Sequence, residues 1–297
     1  MSNLKRPLII LAALLLLPGC FGSAPYTKDI LLMDTFVRIE LKGRMSVALK
    51  REAADKAASR MQELARRFDY FSKDSEVAKL NERLLSRGGT KGRSSAACLW
   101  HGGTPPYVSN GGAISPEMRK ILKRAEEIQK LTKGAFNIRV GPGGKINLGG
   151  IAKGFIVDEG IGILRKEGVL EALINAGGDM YCMGTYKIGI RAPRTPREII
   201  ATLSVTDKGL ATSGSYERRA HIIDPRTGEA APETKKSVTV MADDCMTADT
   251  LATALYVLDT EDGLSAIKKF PGAECVIVED DGKIRASEQI VLTKVRP

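Results

Sequence analysis

The pattern of apolar and polar positions predicts several helices along the chain. Apolar residues recur every three or four positions over Val47–Phe68, with charged residues on the opposite face, as is typical of an amphipathic helix. A second helix is predicted over about 116–131, because Ser115 is a good N-cap and the proline that follows suits the first helical turn. Between them, a short helix is predicted to follow a turn at 71–77 and to run to Asn81.

Apolar runs that alternate with polar residues, or that are short and continuous, predict strands. The first half carries one such run over 30–41, which we interpret as a single first strand. The runs of the second half lie at residues 172–180, 187–190, 201–205 and 237–241. Helices are predicted mainly in the first half of the chain and strands mainly in the second, so the predicted fold class is α+β, with mixed sheets flanked by helices in one compact domain of intertwined subdomains.

The N-terminus has the pattern of an export signal. Two basic residues precede the apolar run Leu8–Leu17, which ends in Pro-Gly-Cys at Cys20. A run of ten apolar residues is too short to cross a bilayer core of about 30 Å as a helix. The pattern resembles a bacterial lipoprotein signal, in which Cys20 is lipidated, and a plain secretory signal with an incidental cysteine is the alternative. The predicted divisions are a signal peptide over 1–19, a tether over 20–29 and a folded domain over 30–297.

The composition is that of a folded protein and argues against a nucleic-acid-binding protein. The 297 residues are 43% hydrophobic, enough for a large core. The net charge of +10 does not predict nucleic-acid binding, because lysines and arginines are scattered and aromatic residues make up only 5%. The remaining cysteines show no metal-binding spacing and resemble small buried apolar residues, although a disulfide between two of them stays open. They are Cys98, Cys182, Cys245 and Cys275.

Residues 86–112 form an unusual stretch that is rich in Gly, Ser, Thr and Pro. Such composition predicts a loop, and loops of this length are usually functional or disordered. We interpret this one as a disordered loop or insertion. Trp100 and His101 lie within it, but no second polar partner accompanies them in the sequence.

The first segment with chemistry is the glycine turn before a helix predicted to run through Asp158 to Leu164. The residues Gly149 and Gly150 carry no Cβ, so backbone amides and carbonyls there can approach a phosphate or a metal ion. Lys153 adds a positive charge. Tight packing of the turn is an equally good local interpretation.

Two further clusters carry candidate catalytic groups. Asp249 and Thr253 are four residues apart, so their oxygens share one face if 248–258 is helical, and together they can hold a hard divalent cation. The alternative is an acid that only complements the helix dipole. His221, one of two histidines in the chain, stands close to Asp224 and a Pro-Arg-Thr-Gly turn, where it is either a catalytic base or a structural residue.

Taken in order, these segments resemble the ApbE family of FAD-dependent flavin transferases. The matching blocks are Met33-Asp-Thr, 75–81, Thr132-Lys-Gly-Ala-Phe, 147–158, Asn175-Ala-Gly-Gly-Asp, Thr212-Ser-Gly, 221–228 and 248–254, and they span nearly the whole chain after the signal. The resemblance implies an FAD pocket lined by Met33, Phe71, Ala135, Phe136, Asn137, Lys153 and Asp158. It also implies a Mg²⁺ site made by the Gly150 carbonyl, Asp249 and Thr253. The family usually has an aspartate where this chain has Asn137, and a longer segment before Asn147.

The resemblance also implies a reaction. FMN passes from FAD to a threonine or serine hydroxyl of a membrane flavoprotein, AMP leaves, and His221 acts as the base, since a histidine pKa of about 6.5 suits neutral conditions. The implied acceptor is a subunit of a membrane electron-transfer complex, and the expected location is the outer face of a bacterial membrane, through a lipid anchor. The alternatives are an FAD pyrophosphatase and a non-catalytic FAD-binding lipoprotein.

Overall fold

The computed structural model describes residues 24–86, 114–141, 144–192, 198–214, 222–231 and 235–294 of the chain. The predicted signal peptide with Cys20, nearly all of the predicted loop at 86–112 with Cys98, and His221 lie outside the described residues.

Six helices and eleven strands occur within the described residues. The helices are α1 (Val47–Phe68), α2 (Glu76–Ser86), α3 (Pro116–Leu131), α4 (Ala152–Lys166), α5 (Cys245–Val257) and α6 (Thr260–Ile267). The strands are β1 (Tyr26–Leu32), β2 (Thr35–Leu41), β3 (Arg139–Val140), β4 (Lys145–Ile146), β5 (Ala172–Ala176), β6 (Asp179–Arg191), β7 (Ile199–Gly214), β8 (Lys235–Ala242), β9 (Glu274–Glu279), β10 (Ile284–Ala286) and β11 (Leu292–Lys294).

One antiparallel sheet of nine strands organises the molecule. Its strands follow the order β1-β2-β5-β6-β7-β8-β9-β10, and β11 pairs with the first part of β7. The short strands β3 and β4 pair only with each other. One face of the sheet packs against α1, α4 and α5, and the main core lies between them. The predicted α+β fold, with a sheet flanked by helices, is therefore confirmed.

Local signals explain the two longest helices. The Ser46 hydroxyl caps α1 by accepting a hydrogen bond from the Leu49 amide at 3.3 Å, and basic residues occupy its last turn. In α3, the Ser115 hydroxyl accepts from the Met118 amide at 3.0 Å. The apolar face of α1 ends at Phe68, whose ring meets Phe155 of α4 edge-on at 5.9 Å between centroids. Helices α1 and α3 match their predicted bounds.

A second, smaller core lies on the other face of the sheet. The strands β6 and β7 are long, and β6 has a bulge between Cys182 and Thr185, where Gly184 takes a φ of +89°. Beyond this bulge, Tyr186 and Ile190 pack with Leu203 of β7 into the second core. The outer parts of β6 and β7 therefore form an arm that extends beyond β5.

The structure corrects several element predictions. The single strand predicted over 30–41 is the hairpin of β1 and β2, because Met33 and Asp34 take φ values of 47° and 57° and turn the chain. Strand β1 begins at Tyr26, four residues before the start predicted for the folded domain. The runs predicted as separate strands at 187–190 and 201–205 are parts of β6 and β7.

The cysteines within the described residues match their prediction as small buried residues. Cys182, Cys245 and Cys275 are all buried, and none of them forms a disulfide. Burial raises the pKa of both Cys182 and Cys275 to about 12, so these thiols stay protonated near neutral pH. Among the helices that the structure describes, none has the length and apolar character needed to cross a membrane.

Candidate active site

One large cavity gathers most of the predicted site residues. Its volume is about 2550 Å³, and its walls come from the β1–β2 turn, the segment after α1, residues 135–150, the start of α4, the β5–β6 turn, the end of β7, and α5. Nine of the predicted residues line it: Met33, Phe71, Ala135, Phe136, Asn137, Gly150, Lys153, Asp249 and Thr253. The structure thus brings together segments that lie more than two hundred residues apart in the sequence.

Asp249 and Thr253 lie on one face of α5, toward the start of α4. The Asp249 side chain is buried, and its Oδ2 accepts a hydrogen bond from the Gly154 amide at 3.1 Å. Thr253 Oγ1 lies 3.4 Å from Ser213 Oγ of β7. Helix α5 begins at Cys245 with Asp244 as its cap, so Asp249 is one turn inside the helix. The alternative of an acid that only complements the first turn is therefore not supported.

The oxygen atoms around Thr253 suit a hard divalent cation. Gly150 approaches this threonine closely, since a Cβ built on Gly150 would lie 3.3 Å from Thr253 Oγ1. A carboxylate, a hydroxyl and the predicted backbone carbonyl are the kinds of ligand that Mg²⁺ accepts, with waters and phosphate oxygens in the other positions. No group of three His, Cys, Asp or Glu side chains within the described residues forms a metal-binding cluster. Carboxylate, hydroxyl and carbonyl donors are all oxygen, so the set fits Mg²⁺ better than zinc, which is mostly bound by nitrogen and sulfur.

Lys153 is held between two acids at the mouth of this oxygen-rich site. Its ammonium group pairs with Asp179 of β6 and lies 3.6 Å from Asp249 Oδ1. Burial alone would lower the pKa of Lys153, but the carboxylates of Asp179 and Asp249 outweigh burial and hold that pKa above its ordinary value. The group therefore stays charged, and its side chain is 30% exposed toward the cavity.

Sequence analysis did not place Asp179 in the site. This residue is buried, lines the cavity, and follows a tight turn in which Gly177 and Gly178 take φ values of 65° and 100°. The block Asn-Ala-Gly-Gly-Asp was visible in the sequence. Only the fold shows that its acid meets Lys153, because the two residues are 26 positions apart.

The structure corrects the role predicted for Asp158. Its carboxylate accepts hydrogen bonds from the amides of Cys245 and Met246, at 2.8 and 2.9 Å, and it is not among the residues that line the cavity. Burial raises the pKa of Asp158 to about 7, although the hydrogen bond from Met246 acts in the opposite direction. Asp158 therefore joins α4 to the N-terminus of α5 and does not face the predicted FAD pocket.

The residues predicted for the flavin side form a partly apolar wall. The Phe71 side chain is 86% exposed, and its ring meets Tyr70 edge-on at 5.3 Å between centroids. Phe136 is buried beside Gly150. Asn137 Oδ1 accepts a hydrogen bond from the Arg139 amide at 2.9 Å, so this residue shapes the loop before β3. An exposed aromatic ring next to apolar atoms suits the stacking of a planar ring system.

The segment after His221 also reaches the cavity. Ile222, the next residue in the chain, lines it, as do Ile223 and Pro225. Asp224 is buried and fully engaged by Arg226, whose Nε and Nη2 donate to its two oxygens at 2.9 and 2.7 Å. Burial raises the pKa of Asp224, but the hydrogen bonds from Arg226 prevail and leave that pKa below its ordinary value. Asp224 is thus a structural acid of the turn.

The close packing of α4 against α5 at Gly154 can be tested by substitution. A Cβ at Gly154 would lie 2.4 Å from the Cys245 carbonyl oxygen, which is backbone and cannot move aside like a side chain. We expect Gly154→Ala to lower the free energy of unfolding by roughly 1–3 kcal/mol, measured by urea denaturation. The control is Gly162→Ala in the same helix, where no atom lies within 4 Å and the change is expected to be neutral or stabilising. Equal denaturation midpoints for the two variants would contradict this packing.

Comparison with known families and structures identifies the family of the chain. The model of the ApbE family matches residues 33–145 and 141–277. The two ranges overlap at residues 141–145, in the hairpin of β3 and β4. The crystal structure of the ApbE protein from Thermotoga maritima has a TM-score of 0.72 to this chain, at 26% identity, over 89% of this chain and 97% of that one.

Several curated proteins are similar in sequence. The FAD:protein FMN transferase of Treponema pallidum is 34% identical over 172 residues, which cover 50% of this chain and 48% of that protein. One from Klebsiella pneumoniae is 34% identical over 146 residues, covering 46% of each. The FAD:protein FMN transferase of Vibrio cholerae is 25% identical over 344 aligned positions, covering 94% of this chain and 96% of that protein. The chain thus spans about half the length of the first two relatives.

Proposed function

The chain belongs to the ApbE family, and on this premise we propose that it transfers FMN from FAD to a threonine or serine hydroxyl of an acceptor protein, with AMP leaving. One observation carries the proposal. A single cavity joins the buried acid Asp249, the hydroxyl of Thr253 and the ammonium group of Lys153 to a partly apolar wall at Phe71. These are the groups needed to hold a flavin at one end and its pyrophosphate at the other. The names of the curated relatives support the same reaction.

We propose Mg²⁺ as the metal, held by the Gly150 carbonyl, Asp249 and Thr253. When bound, Mg²⁺ supplies positive charge beside the pyrophosphate oxygens and offsets the charge that develops there. The protein contributes the preorganised donors. Asp249 is fixed by the Gly154 amide, and Thr253 is fixed by its position one turn further along α5.

In the proposed reaction, the acceptor oxygen forms a bond to the phosphorus of the FMN phosphate. The bond from that phosphorus to the oxygen of AMP breaks, and the hydroxyl proton passes to the imidazole of His221. Lys153 stays charged because Asp179 holds it, so it contributes positive charge beside the phosphate oxygens throughout the reaction. Phe71 and Met33 form the wall against which the isoalloxazine is proposed to lie.

Incubation of the purified protein with FAD and Mg²⁺, with and without an acceptor protein, tests this function. Transfer predicts FMN bound covalently to the acceptor and an equal amount of AMP. A pyrophosphatase would instead release free FMN and AMP without the acceptor, and a binding protein would leave FAD intact. The acceptor that we propose is a subunit of a membrane electron-transfer complex.

We further propose that a lipid on Cys20 anchors the protein to the outer face of a bacterial membrane. Cys20→Ala is then expected to move the protein from the membrane fraction to the soluble fraction, because the apolar run before it is too short to serve as a permanent anchor. Fractionation followed by immunoblotting measures this shift. Cys98→Ala is the matched control and is expected to stay with the membrane. Membrane retention of the Cys20→Ala variant would refute the anchor.

A further inference from the structure

The start of α5 is held by two carboxylates, and one of them belongs to another helix. The amides of Cys245 and Met246 donate to Asp158 of α4 at 2.8 and 2.9 Å, and the Thr247 amide donates to the cap residue Asp244 at 2.7 Å. The first amides of a helix have no partner within it, and Cys245 and Met246 are buried away from water. Asp158 therefore supplies two of the hydrogen bonds that α5 needs at its start.

The start of α4 is held in the same way by an acid of α5. Ile151, which precedes α4, has no side-chain oxygen that could cap it. The Gly154 amide in the first turn of α4 donates instead to Asp249 at 3.1 Å. Asp158 lies one turn after Gly154, as Asp249 lies one turn after Cys245. The two helices thus cap each other.

Close backbone packing reinforces this contact. A Cβ at Gly154 would overlap the carbonyl oxygen of Cys245, and a Cβ at Gly209 of β7 would overlap its nitrogen. The backbone of Cys245 is therefore enclosed between α4 and β7. In such tight packing it has little room to shift while the hydrogen bonds to Asp158 are made.

The proposed Mg²⁺ ligands are divided between the same two helices. Gly150 lies just before α4, whereas Asp249 and Thr253 lie on α5. A metal is bound well only when its ligands are held at the right separations, and the groups that orient the ligands provide this. The placement of α5 against α4 therefore decides how well the three donors converge.

We infer that Asp158 is a positioning residue for the proposed Mg²⁺ site, which holds Asp249 and Thr253 opposite the Gly150 carbonyl through its hydrogen bonds to the start of α5. The inference rests on the proposed function, in which these three residues hold the metal. Asp158 is not among the residues that line the cavity, so it acts on the site through α5 and not by contact with the metal.

Binding of Mn²⁺, used as a probe of the Mg²⁺ site, tests this role without measuring activity. Mn²⁺ is titrated into FAD-loaded protein, and the free ion is followed by electron paramagnetic resonance. In Asp158→Asn, the side chain keeps one oxygen but presents an N–H group to the second amide, so one of the two hydrogen bonds is lost. We expect the Kd for Mn²⁺ to rise about tenfold, as is usual when a group that orients metal ligands is replaced. An unchanged Kd would overturn the inference.

Asp244→Ala separates positioning from a loss of helix stability. It removes the cap that α5 has of its own and leaves both hydrogen bonds to Asp158 in place. Both variants are expected to unfold at a lower urea concentration than the unmodified protein, but only Asp158→Asn is expected to bind Mn²⁺ more weakly. An equal loss of Mn²⁺ affinity in both variants would show that Asp158 has no specific role.

Hydrogen exchange in the unmodified protein provides a second test, which does not depend on the folding of a variant. If the link between α4 and α5 favours metal binding, then metal binding must favour the link to the same extent. Mg²⁺ added to the FAD-loaded protein is therefore expected to slow exchange of the Cys245 and Met246 amides. The Leu49 amide, which the Ser46 hydroxyl accepts at the start of α1, is the control and is expected to be unaffected. Equal slowing at all three amides, or none, would contradict the inference.

The Mg²⁺ dependence of FMN transfer separates the two proposals. In Asp158→Asn we expect a higher KM for Mg²⁺ and a kcat that recovers at saturating Mg²⁺, with the Kd for FAD in EDTA unchanged. A lower kcat with an unchanged KM for Mg²⁺ would contradict the positioning role alone. Unmodified protein that binds Mn²⁺ but never transfers FMN would contradict the transferase function, whereas the Mn²⁺ titration would still decide the role of Asp158. Unmodified protein that binds no Mn²⁺ would overturn the metal site and this inference together.

Discussion

Replacement of Asp249 by asparagine is expected to lower the rate of FMN transfer by about 10³-fold or more, with the protein still folded. The carboxylate is the only charged ligand proposed for Mg²⁺, and loss of several kcal/mol of charge stabilisation slows a reaction about tenfold for each 1.4 kcal/mol. Asparagine keeps the size of the side chain and an oxygen for the Gly154 amide. Lys153 keeps its partner Asp179, so no buried cation is left unpaired. The measurement is covalent FMN on the acceptor at saturating FAD.

Stability and metal controls make this result specific. Because Asp249 is buried and hydrogen-bonded, Asp249→Asn is expected to cost about 1–3 kcal/mol of unfolding free energy, well short of unfolding a protein of this size. Asp243→Asn is the control, since that acid is exposed and its one ion pair among the residues that the structure describes is with Lys208. Treatment of the unmodified protein with EDTA is expected to reproduce the loss, and added Mg²⁺ to restore the activity. Full activity of the Asp249→Asn variant would remove Asp249 from the mechanism, and full activity in the presence of EDTA would remove the metal.

The helices that local signals define could be predicted from the sequence. Helices α1 and α3 each have a serine N-cap and a regular apolar face. Both features are local, because the cap lies in the first turn and the apolar face is formed by residues of the same helix. The strands were harder to predict from the sequence. The hairpin of β1 and β2 turns at Met33-Asp34, which lacks the glycine that usually marks such a turn, so the two strands were interpreted as one.

The site was only partly predictable, because local sequence patterns do not show which distant segments come into contact. Glycines, lysine and acids in recognisable blocks identify the walls of the cavity, and nine of the predicted residues do line it. Which acid meets which partner depends on contacts between distant segments. Asp158 lies two turns along α4 but binds the amides at the start of α5, whereas Asp179 meets Lys153 across the cavity. No pattern within either segment distinguishes these two acids.

His221 is the proposed catalytic base, and the described residues that follow it in the chain bear on this assignment. Asp224 is only three residues from this histidine in the sequence, so it is the first acid to consider as a partner of His221 or as a base in its place. The structure argues against Asp224 as a base in place of His221, because both of its oxygens accept hydrogen bonds from Arg226 and its pKa lies below the ordinary value. A carboxylate with a lowered pKa is a poor base near neutral pH. Ile222 and Ile223, which follow His221, line the cavity in which the transfer is proposed to take place.

His221→Ala is therefore expected to slow FMN transfer by roughly 10²- to 10⁴-fold, the usual contribution of general-base catalysis, and to leave FAD binding unchanged. Flavin fluorescence measures the binding, and covalent FMN on the acceptor measures the transfer. His101→Ala, which changes the other histidine of the chain, is the control and is expected to retain its activity. If FAD binding fell in step with the rate, His221 would be a ligand contact or a structural residue. If neither changed, the proton would leave by another group, and Asp179, buried beside Lys153 at the cavity wall, would be the next residue to replace.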